Sequence, residues 1–292
     1  MKYLDPRLLN RITRRTLESR FVMAGSLSGI HRSPFKGVSV EFTAHREYAP
    51  GDELRHLDWN VYARSDRFFI KEHEVDSNLK AQILLDASGS MDYRAGGGGS
   101  KFEYGCSLAS ALAYLLLSQG DQVGLVLFGE DVRRTLPASG KRTQLLSIAQ
   151  ALEREEPAGP TGIQRVLGKT ASDVWRRGLT VVISDLIEKP DDVVRGLRLF
   201  RHRRHEVIVF HLLHADELDF PFEGMTRFDD LEADRRITAD PEGIGDIFRN
   251  LVGEFVEQYK TLCRRDLIDY QLFRTDVPLE TALVRYLASR GR

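Results

Sequence analysis

"ILLDASGSMDY" (83–93) decides how the chain is read. With the three residues before it, "KAQILLD" (80–86) is a short apolar run that fits a strand buried on both faces. The run then breaks into small residues and hydroxyls, and Asp86, Ser88 and Ser90 stand two apart with Ala87 and Gly89 between them. In an extended turn such spacing lets both hydroxyls face one point, beside a carboxylate at the strand end.

The rhythm around this stretch is that of an α/β protein. "QVGLVLF" (122–128), "LTVVISD" (179–185) and "EVIVFHLL" (206–213) read as further buried strands, and "DVRRTLP" (131–137) as one beside the second. Helical patterns fill 102–119, 141–155, 161–176 and 191–203. Strands alternating with helices predict a Rossmann-like, open, mostly parallel sheet with helices on both faces. Upstream, 4–24 reads as a helix with Leu4, Leu8, Leu9, Ile12 and Leu17 at helical spacing, and 37–80 as a small β-rich segment. Downstream, "TRFDDLE" and "RRITAD" predict a β-hairpin, followed by a long helix over roughly 244–273 and a short one at 279–289. The expected divisions are therefore 1–77, 78–215 and 216–292: an N-terminal helix and β-rich segment, the α/β domain, and a hairpin-helix extension.

In open α/β sheets, ligands bind at the carboxyl ends of the strands. Asp86 ends one predicted strand, Asp185 ends another, and "PAGPTGI" (157–163) offers Thr161 just before a helix. Two carboxylates and three hydroxyls form an all-oxygen set, which suits a hard cation such as Mg²⁺. Mn²⁺ accepts the same donors. The blander reading is that Asp and Ser after a strand build ordinary turns and helix caps.

Asp86-Ala-Ser88-Gly-Ser90, then Thr161, then Asp185 resembles the metal-ion-dependent adhesion site of von Willebrand factor A domains. That resemblance implies that the serines and threonine contact the metal, that the aspartates act largely through water, and that an acidic residue of a partner completes the coordination. "ISDL" (183–186) departs from the pattern, because many members carry Gly after the Asp. The upstream pieces R-x-Y-x-x-G-D, R-x-x-D-W-N, A-R and K-E within 41–91, with "FDDLEADRRITADP" and "DYQLFRTDVPLETALVRYL", are similar to the DUF58 family of bacterial proteins. The likeness spans roughly 25–290. It implies an adaptor working with a MoxR-type AAA+ ATPase in assembling or activating other proteins. Many such relatives carry N-terminal membrane helices. The longest apolar stretch here, Leu108 to Leu117, is broken by Ser110 and too short to span a bilayer, so no membrane insertion is expected.

Bulk properties narrow the function classes. A net charge of -1 gives no global attraction to nucleic acid or anionic lipid. The basic run "RGLRLFRHRRHE" (195–206) lacks interleaved aromatic platforms and reads as a solvated helix end, so no nucleic-acid partner is expected. Two isolated cysteines, Cys106 and Cys263, form no CxxC pattern and fit a reducing, cytoplasmic setting. His211 and His214 are three apart on a strand and point to opposite faces, which disfavours zinc. "AGGGGSK" (95–101) lacks the P-loop spacing, because Phe102 follows Lys101. No residue reads as an activated nucleophile, so the expectation is a binding protein rather than an enzyme. The rival is a Mg²⁺-dependent phosphohydrolase with Asp86 as nucleophile. Ser88 stands where haloacid-dehalogenase-like phosphatases resemble D-x-D-x-T and need a second carboxylate. The charged stretch from Arg46 to Asn60 is either a functional surface or a set of ion pairs holding the β-rich segment.

Overall fold

The computed structural model describes residues 2–3, 41–47, 61–62, 67–74, 79–95, 98–175, 177–233 and 235–290, with the backbone alone for 41–47 and 69–74. The chain divides into two compact units, 31–78 and 1–30 with 79–292. In the smaller unit, β1 (Glu41–Glu47) pairs antiparallel with β2 (Phe69–Glu74), with a register shift between Phe42 and Ala44. The rings of Tyr62 and Phe68 stack at 4.5 Å between centroids. The helix expected over 4–24 and nearly all of the Arg46–Asn60 stretch lie outside the described residues.

The larger unit is built on β3 (Lys80–Asp86), β4 (Gln122–Phe128), β5 (Val132–Ser139), β6 (Gly178–Ser184), β7 (His205–Leu213) and β10 (Asp269–Arg274). Their order across the sheet is β10-β7-β6-β3-β4-β5. All neighbours are parallel except β4 and β5. The expected mostly parallel α/β sheet is therefore the architecture of this unit.

Alternation along the strands divides the core into two. Ala81, Ile83 and Leu85 of β3 pack with α1 (Lys101–Ser118), α2 (Gln144–Glu153) and α7 (Leu279–Arg290) on one face. Leu84, between them, packs with Val126 and Val182 against α3 (Ile163–Asp173), α4 (Pro190–His202) and α6 (Gly245–Arg265) on the other. Each fully buried Leu or Ile contributes about 1.5–3 kcal/mol. Two such layers hold the central strands firmly enough to position their ends.

Strand order reverses at β3, since the chain runs from β3 outward to β4 and β5 and then returns to place β6 on the other side of β3. That switch point opens a crevice beyond the carboxyl ends of β3 and β6. Asp86 and Asp185 stand at its two sides.

The C-terminal region differs from expectation in one element. The helix expected over 244–273 stops at Arg265, and β10 enters the sheet parallel to β7, with Asp269 opposite Ile208. The stop is a Schellman arrangement. Leu267 takes φ 55, its N–H donates to Arg264 O at 3.2 Å, and the Ile268 N–H donates to Cys263 O at 2.9 Å. Leucine holds the position usually given to glycine, so the sequence carries no visible stop. The hairpin is present as β8 (Thr226–Asp229) against β9 (Arg236–Ala239), after the short α5 (Ala215–Asp219).

Candidate functional site at the sheet switch point

The site is assembled from three loops clipped together by backbone bonds. Ala87 N–H donates to Phe128 O at 2.6 Å, Gly89 N–H to Gly159 O at 2.7 Å, and Ala158 N–H to Ala87 O at 3.0 Å. Gly162 donates to Gly129 O at 3.0 Å, and a Cβ at Gly162 would lie 2.2 Å from Glu130 O. Only glycine lets the loop carrying Thr161 approach β4 this closely.

Within that frame Asp86 is a hub. Its Oδ1 accepts the Ser88 N–H at 2.9 Å, an Asx turn that folds the loop back. Its Oδ2 accepts the hydroxyls of Ser184 at 2.7 Å and Thr161 at 3.3 Å. The Ser88 and Ser90 hydroxyls lie 3.2 Å apart. Asp86, Ser88 and Asp185 are fully buried and Ser90 is 8% exposed. The structure thus brings all five sequence-predicted residues, Asp86, Ser88, Ser90, Thr161 and Asp185, to one end of the sheet.

Asp185 is held by groups that sequence reasoning passed over. Its Oδ2 accepts from Lys101 Nζ at 2.8 Å, and Lys101 also donates to Glu217 at 2.7 Å. Lys101 opens α1 behind the capping box of Ser100 and Glu103, and its side chain turns inward. Burial alone would lower its pKa, but the Asp185 and Glu217 carboxylates outweigh that and keep it above the usual lysine value. The backbone carbonyl of Asp185 accepts from His211 Nε2 at 2.9 Å, and His211 Nδ1 meets the Tyr270 hydroxyl at 2.6 Å. A carbonyl can only accept, so Nε2 carries the proton and Nδ1 receives the Tyr270 O–H. Burial pushes the His211 pKa down to about 4, which keeps this tautomer neutral. His214 instead caps α5 through Asp216 N–H, so the two histidines do not converge.

Leu186 explains the departure in "ISDL". It takes φ 52, a left-handed conformation that favours glycine. Its N–H donates to Ser184 Oγ at 2.9 Å, its carbonyl accepts from Tyr259 at 3.0 Å, and its side chain is buried in the second core. Apolar burial offsets the backbone strain.

The donor set fits a hard divalent cation. Asp86 and Asp185 place two carboxylates in one buried site, and Lys101, shared with Glu217, leaves them incompletely neutralised. Burial first, and Asp185 second, push the Asp86 carboxyl well above the usual carboxylate range. Asp185 Oδ1 is buried with no hydrogen-bond partner. An orphaned carboxylate oxygen, at the same end of the sheet as two mutually facing serines, is what a cation or its bound water would satisfy. Among the described residues no group of three or more His, Cys, Asp and Glu side chains is placed to hold a metal. Hydroxyls therefore supply most of this donor set.

The remaining features are structural. Arg198 pairs with Asp266, and Arg201 and Arg203 donate to backbone carbonyls of His205 and Val174. These contacts account for part of the basic run as helix-end chemistry.

Residues 44–248 match the family described as protein of unknown function DUF58, which covers well over half of the chain. The chain belongs to the DUF58 family. The DUF58 chain is also 28% identical over 301 residues to the uncharacterized proteins Rv1480 of Mycobacterium tuberculosis and Mb1516 of Mycobacterium bovis, covering 99% of this chain and 91% of each relative. Among solved structures, BatB from Bacteroides thetaiotaomicron is 19% identical and matches 73% of this chain and 98% of its own, with a TM-score of 0.47. An aerotolerance-related membrane protein from Bacteroides fragilis is 19% identical over the same shares, 73% and 98%, with a TM-score of 0.43. The SpRpn10 VWA domain is 14% identical over 46% of this chain and 75% of that domain, with a TM-score of 0.31. No helix among the described residues of this DUF58 chain is long and apolar enough to cross a membrane.

Proposed function

We propose that this DUF58 protein is a non-enzymatic, metal-dependent protein–protein interaction module. Asp86, Ser88, Ser90, Thr161 and Asp185 would hold Mg²⁺ or Mn²⁺, and the cation would supply a Lewis-acidic position for an acidic residue of a partner. The observation that carries this reading is the all-oxygen cluster, buried at its aspartates and serines, with its orphaned Asp185 Oδ1. The resemblance to von Willebrand A domains supplies the mode of recognition. The partner we propose, a MoxR-type AAA+ ATPase, and the setting, assembly or activation of a client protein, are what the DUF58 resemblance implies. Two free, buried cysteines and the absence of a spanning helix among the described residues favour work in the cytoplasm.

The rival phosphohydrolase needs Asp86 to present a free lone pair to phosphorus. Three donors already engage its two oxygens and the side chain is fully buried, which weighs against nucleophilic attack.

The test is a calorimetric titration of Mg²⁺ and Mn²⁺ into wild type and Ser88→Ala/Ser90→Ala, repeated with the candidate ATPase present. One site in wild type that the double variant lacks is the expected result. No binding in any combination, or Mg²⁺-dependent phosphatase turnover abolished by Asp86→Asn, would overturn the reading.

A further inference from the structure

A carboxylate of this chain's own already sits at the mouth of the site. The turn between β8 and β9 lies against the serine loop, and a Cβ on Gly89 would stand 2.2 Å from Leu231 O. In the same turn, Glu232 Oε2 accepts the Thr161 N–H at 3.2 Å, on a residue whose hydroxyl reaches Asp86. Asp230 Oδ1 accepts the N–H groups of Glu232 at 2.9 Å and Ala233 at 3.1 Å, which fixes the turn in this pose. The other Glu232 oxygen, Oε1, is shielded from solvent and has no hydrogen-bond partner. Carboxylate oxygens are not buried unpaired without cost, and two residues tied to this end of the sheet, Glu232 and Asp185, each carry such an orphan.

We infer that Glu232 caps the cation site as the chain's own stand-in for a partner's carboxylate, and that the 230–233 turn closes the site until a partner displaces it. The inference rests on the metal reading above and deepens it. A site whose serines and aspartates are buried offers nothing for an outside carboxylate to reach. The β8–β9 turn occupies that approach, and it presents the same chemical group an acidic partner would bring. An intramolecular carboxylate acts at a high effective concentration, so it sets a threshold that a partner's carboxylate must exceed. A protein that delivers its acidic residue while pulling the hairpin aside would cross that threshold, whereas a free acidic side chain would not.

The test compares full-length wild type, Glu232→Gln and Ser88→Ala/Ser90→Ala by Mn²⁺ calorimetry and by hydrogen exchange over 226–239. Glutamine keeps an oxygen to accept the Thr161 N–H, and residue 232 is only partly buried, so the fold is preserved. In wild type, excess Mn²⁺ should slow exchange in the hairpin by about tenfold or more. In Glu232→Gln, Mn²⁺ affinity should fall by about 10–100-fold, and the metal-induced slowing should vanish. Mn²⁺ binding and hairpin protection that are the same in Glu232→Gln as in wild type, yet lost in the serine double variant, would overturn this inference and leave the metal site standing. No Mn²⁺ binding in wild type alone would overturn this inference, and no binding with the candidate ATPase present either would overturn the metal reading as well.

Discussion

The floor of the site and its cover are built by opposite means. The floor hangs on the ends of β3 and β6, with fully buried side chains and cross-loop hydrogen bonds on nearly every polar atom. The cover is a four-residue-per-strand hairpin with most side chains exposed, Ile237 at 66%. It meets the floor through the Thr161–Glu232 bond and the close approach of Leu231 to Gly89. Burial is therefore concentrated beneath the site and exposed surface above it, a division that suits a preformed pocket under a displaceable cap.

Four substitutions sharpen or break this contrast, starting with the largest effect. Lys101→Met leaves the buried Asp185 carboxylate, and the partly exposed Glu217, without their shared cation and should cost about 3–5 kcal/mol in urea unfolding. A loss near zero would show that charge does not hold the floor. His211 comes next. Its folded pKa of about 4 lies below the unfolded value, so its contribution is present above about pH 6.5 and is lost as pH falls toward 4. The span is on the order of 3 kcal/mol. Wild type should therefore converge on His211→Gln between pH 7 and 4, and a pH-independent gap between them would contradict the neutral, buried ring.

Gly89→Ala tests the seam between the two regions. Its Cβ would collide with Leu231 O at 2.2 Å, so the cover must lift. The expected cost is about 1–3 kcal/mol, with faster hydrogen exchange across 226–239 and none of that speed in β3. Uniform acceleration across the sheet would show that floor and cover are one cooperative block. Ile237→Ser, on the exposed face of the cover, should change stability by no more than about 0.5 kcal/mol. A large loss there would mean that the hairpin carries structural weight.

The same division explains what was legible in the sequence. The floor announces itself because each of its expected site residues sits at or just beyond a strand end or before a helix start, where apolar runs such as "KAQILLD" and "LTVVISD" stop abruptly. The strands at 80–86 and 122–128 lie where the apolar runs place them. Lys101, His211, Ser184 and Glu232 were invisible because their partners lie 84, 26, 98 and 71 residues away, across the fold. No local pattern encodes such contacts. Lys101 even stands at the end of a glycine-rich stretch, where nothing in the sequence marks an inward-turning side chain. The strand at Asp269–Arg274 was hidden for a local reason, since Leu267 turns the chain without the glycine that usually marks a helix end. Leu186 shows the same substitution within the site, with core burial standing in for conformational freedom.

The most direct measurement is an anomalous-scattering map from crystals grown with Mn²⁺. The account predicts one strong peak within about 2.2 Å of both the Ser88 and Ser90 hydroxyl oxygens, bordered by Asp86, Thr161 and Asp185. A map with no peak there, from crystals whose serine loop and Lys101–Asp185 pair are intact, would contradict it.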